Sequence, residues 1–141
     1  LREDEHFYTG KVGGAFAQAL PAAVVVTPDL MERGRRRFDV YCSVCHGVSG
    51  RGDGMIARRA DRIPDKTNWV PPTNLHTDPV RAQPVGQLFD TITHGVRNMP
   101  AYGPQIPEAD RWAIILYLKA LQRSRRATLE DVPADARATP N

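Results

Sequence analysis

"YCSVCHG", residues 41 to 47, holds both cysteines of this 141-residue chain, with His46 directly after the second. On a helix, residues three and four apart share a face, so Cys42, Cys45 and His46 would project together. Two thiols at this spacing can add to the two vinyl groups of a haem, and the adjoining imidazole can reach its iron. Cys-x-x-Cys-His is the c-type haem attachment pattern. Other readings explain less. A structural disulfide accounts for the cysteines and not the histidine. A thioredoxin-like pair needs a strand in a βαβ unit, and none is evident. A closed zinc site needs two more ligands, and His76 and His94 stand too far apart for the usual histidine pair.

Upstream, "TPDLMERGRRRFDVYC" (27 to 42) reads as a helix over 28–42. Thr27 can cap it, Pro28 suits the first helical position, and Asp29 suits the positive helix end. Leu30, Gly34, Phe38 and Tyr41 fall on one face. Downstream, glycine-rich "GVSGRGDG" (47 to 54) predicts a loop, followed by a short helix at 54–60. Residues 63 to 84 are rich in turn formers and are expected to be irregular. "VGQLFDTITHG" stripes Val85, Leu88, Phe89 and Ile92, with Gly95 as a C-terminal cap. A loop at 95–107 leads to a last helix over 107–122, striped by Trp112, Ile115, Leu118 and Leu121, or by Ile114, Tyr117 and Leu121. The expected fold is all-α: three or four helices around one covalently bound haem, without strands. The expected division is an arm at 1–26, a haem domain at 27–122, and a tail at 123–141 that orders only on a partner. So small a unit buries limited apolar surface and often needs a staple, which the haem would be.

Hydrophobic content of 41% and a mean hydropathy of −0.43 describe an ordinary globule. The best apolar run, "AFAQALPAAVVV" (15 to 26), is broken by Pro21 and falls short of the ~20 residues that span a bilayer. The chain starts at Leu1, so the true start is expected to be missing, and any leader or lipid anchor would have been lost with it. Net charge is +3 with a pI of about 9.1. Arginines cluster at 33–37, 58–62 and 123–126. Such clusters suit solvated helix faces, an acidic partner or anionic lipid. No nucleic-acid-binding fold accompanies them. Arg97 and the 123–126 cluster are expected to face a partner.

If His46 holds one side of the iron, the other side decides between electron transfer and small-molecule binding. The candidates are Met31, Met55, Met99, His6, His76 and His94. Met99 lies in "RNMPAYG", where Pro100 prevents helix and a loop can lay a thioether over the ring. His94 is the rival, although the last turn of a helix is where a histidine commonly meets free carbonyls. His76 suits the surface or a propionate. The other N–H of His46 needs an acceptor, and the Pro72 carbonyl is favoured over that of Pro71. Trp69, Leu75, Leu88, Phe89, Ile92 and Tyr102 are expected to line the haem or to serve as general core.

"CSVCHG", "PPTNLH", "NMPAYG" and the closing "WAIILYLKAL" together resemble a class I cytochrome c over roughly 28–122. Gly34 and Phe38, with Ile114 and Tyr117, resemble the family's crossed contact between first and last helices. The resemblance implies one haem c on Cys42 and Cys45, with His46 and Met99 axial. "LREDEHFYTGKVGG", "HGVSGRGDGMIARR" and "MPAYGPQIPEADRWAIILYLKAL" further resemble the monohaem cytochrome c subunit of bacterial alternative complex III, a membrane quinol oxidoreductase. That likeness implies an electron carrier fixed among other subunits of a respiratory membrane complex. It would take electrons from a multihaem cytochrome and pass them to a cytochrome or terminal oxidase. Its place would be the periplasmic side of the bacterial cytoplasmic membrane, held there by the complex or a lipid anchor, and it would not be an enzyme by itself. A free periplasmic shuttle, the cytochrome of another dehydrogenase or oxidase, and a gas-binding or peroxidase-like haem protein are the alternatives.

Overall fold

The longest two helices cross because one of them lacks a side chain at the crossing. Residues 4–65 and 68–137 are described in the structure, a computed structural model. Helix α2 (Pro28–Tyr41) starts as its sequence dictates: the Thr27 hydroxyl accepts the Leu30 N–H at 3.1 Å, and Pro28 fills the first turn. Helix α7 (Glu108–Ser124) follows Pro107 and carries Glu108 and Asp110 in its first turn. A Cβ at Gly34 would stand 2.0 Å from the Ala113 carbonyl oxygen and 3.0 Å from Tyr117 Cβ, so only glycine admits this approach. One turn on, Phe38 meets Tyr117 edge to face, with ring centroids 5.4 Å apart. Asp110, buried on α7, is held by Arg33 and Arg37 of α2. The expected contact between first and last helices is therefore present, with Ala113 as the residue against Gly34.

Helix α6 (Val85–His94) completes the core, which joins Phe38, Leu88, Phe89, Ile92, Ile106, Trp112, Ile114, Ile115 and Leu118. Phe89 stacks on the fully buried Trp112 at 4.4 Å. Four short helices stand around this core: α1 (Glu5–Thr9), α3 (Ser43–His46), α4 (Met55–Ala60) and α5 (Asp78–Arg81). The fold is the all-α one expected. No helix among the described residues is long and apolar enough to cross a membrane.

Two local expectations are corrected. Residues 1–26, read as an arm of no clear period, hold α1 and a two-residue antiparallel pair, β1 (Lys11–Val12) with β2 (Ala15–Phe16). The segment is bound to the core: Trp112 Nε1 donates to the Phe7 carbonyl at 2.8 Å, and the Gly86 N–H donates to the Ala17 carbonyl at 2.9 Å. Gly10 (φ +73°) and Gly86 face each other so closely that a Cβ at Gly86 would lie 1.9 Å from the Gly10 carbonyl oxygen. Elements this short carry no readable period, and a glycine pair carries no hydrophobic signal. The segment after Ser124 also has order of its own. Arg123 pairs with Asp131, Arg126 reaches Asp78 on α5 at 2.5 Å, and Leu129–Asp131 forms a 3₁₀ turn. Residues 1–3, 66–67 and 138–141, which include the ends of the expected arm and tail, lie outside the described residues.

Candidate haem site

Helix α2 ends at Cys42, and the chain bends into α3, which carries Cys45 and His46. The predicted helix thus stops one residue early, with the motif split across a bend. Both thiols are free and half-buried. Burial, with Cys45 beside it, pushes the Cys42 thiol up to about 12. The loop after His46 curls back over the motif. Gly52 N–H donates to the His46 carbonyl at 2.7 Å, and Gly54 N–H to the Cys45 carbonyl at 3.0 Å. A Cβ at Gly54 would lie 2.4 Å from the Val44 carbonyl oxygen, so this return also requires glycine.

The His46 imidazole is oriented by one bond: Nδ1 donates to the Thr73 carbonyl at 3.0 Å. A carbonyl only accepts, so Nδ1 carries the hydrogen and Nε2 presents a lone pair. Burial pulls the imidazole below its usual value, partly offset by the Thr73 bond, and so favours the neutral, ligating form. The acceptor is Thr73 and not Pro72. The Pro72 carbonyl oxygen instead faces Gly52, where an added Cβ would meet it at 2.4 Å. Successive carbonyls of an extended chain point opposite ways, so an error of one residue reversed the assignment. Beyond Thr73, further bonds hold the chain at Leu75 and His76. Leu75 N–H meets the Gly50 carbonyl at 2.8 Å, Gln122 Nε2 the Leu75 carbonyl at 2.7 Å, and His76 Nε2 the Ser49 carbonyl at 2.6 Å.

Met99 sits half-buried in the loop after α6, bridged backbone to backbone with Val96. The Tyr102 N–H donates to the Ile92 carbonyl at 2.9 Å and the Gly103 N–H to the Thr93 carbonyl at 3.1 Å. Arg111 fastens the same loop from α7. Its buried guanidinium donates to the carbonyls of Ile106 (2.7 Å) and Gly103 (3.2 Å) and to Thr93 Oγ1 (3.0 Å). Sequence reasoning missed Arg111, because an arginine among helix acids reads as solvated. Its position five residues after an isolated Ile106 in a proline-rich loop was the available signal. Tyr102 carries this loop to the attachment segment: its ring stands 6.2 Å from that of Tyr41, edge to face. Burial raises the Tyr102 hydroxyl, with Cys45 and Cys42 adding to the rise.

The other candidate ligands have other neighbours. His94 ends α6 exposed, with Nδ1 3.1 Å from Asp90 Oδ1. His6 Nε2 bonds the Ala19 carbonyl at 2.8 Å. Met55 is exposed, and Met31 lies half-buried on α2. The expected lining residues divide in two. Leu88, Phe89 and Ile92 belong to the buried core. Leu75 and Tyr102 flank it half-exposed, together with Tyr41 and Cys42. Trp69 is half-buried, with its Nε1 sealed from solvent and without a partner among the described residues.

These residues fit a haem. Two thiols and an imidazole with a free nitrogen share one bend, next to partly uncovered apolar side chains. The orphaned indole N–H would be satisfied by a carboxylate such as a haem propionate. No three metal-binding side chains converge among the described residues.

The model of the family "cytochrome c oxidase, cbb3-type, subunit III" matches residues 29–118. The chain belongs to that family. This cytochrome c domain takes in the attachment motif, the Thr73 segment and the Met99 loop. It makes the chain an electron-transfer haem protein of the c type. No curated protein matches the chain. Among solved structures, a chain of the reducing HAO-like protein complex of Kuenenia stuttgartiensis aligns with a TM-score of 0.56 and 22% identity. The alignment covers 83% of this chain and 54% of that one. The present chain thus spans about half the length of that relative, and the likeness shows a shared fold.

Proposed function

We propose that the chain would carry a single haem c, bound through Cys42 and Cys45, with His46 and Met99 supplying its iron ligands. The single observation carrying this reading is the His46 imidazole, fixed by the Thr73 carbonyl so that its second nitrogen is free beside two thiols. Bound there, the haem supplies a one-electron couple whose potential a thioether ligand raises. The protein's part is to hold and tune. The Thr73 carbonyl fixes the tautomer and orientation of His46 and raises its basicity as a ligand. Arg111 and the α6 carbonyls hold the loop that would bring the Met99 thioether. Trp69 Nε1 would donate to a propionate. The crossed α2 and α7 keep the attachment bend in place.

We further propose that the chain works as a subunit of a membrane quinol-oxidising complex of the alternative complex III type, on the periplasmic side. Its donor would be a multihaem cytochrome and its acceptor a downstream cytochrome or oxidase. What supports this is the resemblance of residues 1–14, 46–59 and 99–121 to the monohaem subunit of that complex. The structural relative is itself a chain of a protein complex. The test is a native gel of membranes extracted in mild detergent and stained for haem. The expected result is a large assembly that yields this chain's haem band on denaturation. A haem band running free in the soluble fraction would instead make the protein a shuttle.

A further inference from the structure

Most of the clustered arginines are answered by acids of the same chain. Arg33 and Arg37 meet Asp110, and Arg35 meets Glu32 and Asp39. In the segment after α7, Arg123 meets Asp131 and Arg126 meets Asp78. The cluster at 58–62 differs. Among the described residues, the guanidinium groups of Arg58, Arg59 and Arg62 have no acidic or hydrogen-bonding partner, and the neighbouring Asp61 is already engaged. With Met55 and Ile63 these three arginines line one groove of about 470 Å³. Met55 is 65% and Ile63 49% exposed, so apolar surface lies open within a frame of unneutralised positive charge. The groove is built onto the attachment segment, because α4 begins at Gly54, whose N–H bonds the Cys45 carbonyl.

We propose that this groove docks an acidic partner protein, which seats carboxylates on Arg58, Arg59 and Arg62 and an apolar side chain on Met55 and Ile63. This rests on the electron-carrier reading and deepens it by naming the exchange face. Three like charges within five residues repel one another, and a partner's carboxylates remove that cost. Guanidinium groups match carboxylates in two-point contacts, which an ammonium cannot do. An apolar centre inside a polar rim is the usual anatomy of a protein interface. The uncompensated charge would also steer the partner toward the side of the molecule that carries the attachment motif.

The test uses the full-length haem-loaded protein, with an acidic blue-copper protein of the plastocyanin type as the probe partner. Electron exchange is followed by stopped flow across a range of ionic strength, for the native protein, for R58Q/R59Q/R62Q, and for R36Q on the exposed side of α2 as a charge control. The triple variant is expected to exchange about tenfold or more slowly at low salt and to lose most of its salt dependence. R36Q should stay close to the native rate. Reduction by ascorbate should be equal in all three. A triple variant with the native rate and salt dependence would overturn the proposal. So would a variant that exchanges normally with the probe but no longer binds phosphatidylglycerol vesicles, which would make the groove a lipid site. If ascorbate fails to reduce even the native protein, the electron-carrier reading falls, and the docking proposal with it.

Discussion

At His46 a single carbonyl sets the chemistry. The Thr73 acceptor fixes which nitrogen carries the hydrogen, and burial keeps the ring neutral, so the free lone pair follows from backbone placement. The opposite ligand is the assignment most open to test. A Met99→Ala variant of the haem-loaded protein should bind carbon monoxide rapidly when reduced and should show a lowered potential, whereas the native protein should resist carbon monoxide. A variant unchanged in both would move the ligand elsewhere, first to His94. The residues of the attachment motif were legible in the sequence because spacing alone identifies them. Thr73 was not, because the choice among Pro71, Pro72 and Thr73 depends on which way each carbonyl turns. Arg111 was hidden for a related reason: besides Glu108, it bonds two backbone carbonyls and a hydroxyl, groups that composition does not mark.

At the scale of elements, the crossing of α2 and α7 depends on Gly34. Gly34→Ala would drive a Cβ into the Ala113 carbonyl, and helix backbones yield less readily than side chains. The expected loss is about 1–3 kcal/mol, the usual range for overpacking, read by denaturant unfolding of the haem-loaded protein. Unchanged stability would show that the helices part freely. The turn after α7 should respond to acid. The Thr128 N–H and then Arg123 hold the Asp131 carboxyl below the usual carboxylate range. A depressed folded value means that the hold is complete above the unfolded value and is lost as pH falls through the folded one. Protection of the Thr128 amide, its exchange taken relative to the intrinsic rate, should therefore fall on acidification below the usual carboxylate range and stay level from there to neutrality. A rise in exchange toward neutral pH, beyond the intrinsic trend, would contradict this. The two helices and α6 were legible because each is long enough to show its period and its caps. The strand pair, α1 and α5 were not, since two to five residues cannot display a period.

At the scale of the molecule, glycine contacts and single hydrogen bonds join the chain's beginning to its end. Phe7 meets Trp112 across most of the sequence, and Gly10 meets Gly86 at backbone distance. The described part of the segment read as an arm without clear period is folded onto the core. Among the described residues, the arginine groove on α4 lies exposed beside the attachment bend. The proposed framework holds one haem covalently through Cys42 and Cys45. The most direct test is the intact mass of the protein after maturation in cells that attach haem c, taken under denaturing conditions. The native protein should be heavier than the polypeptide by one haem, and C42A/C45A should have the mass of the polypeptide alone. A native protein at the polypeptide mass, or a haem that survives loss of both cysteines, would contradict it.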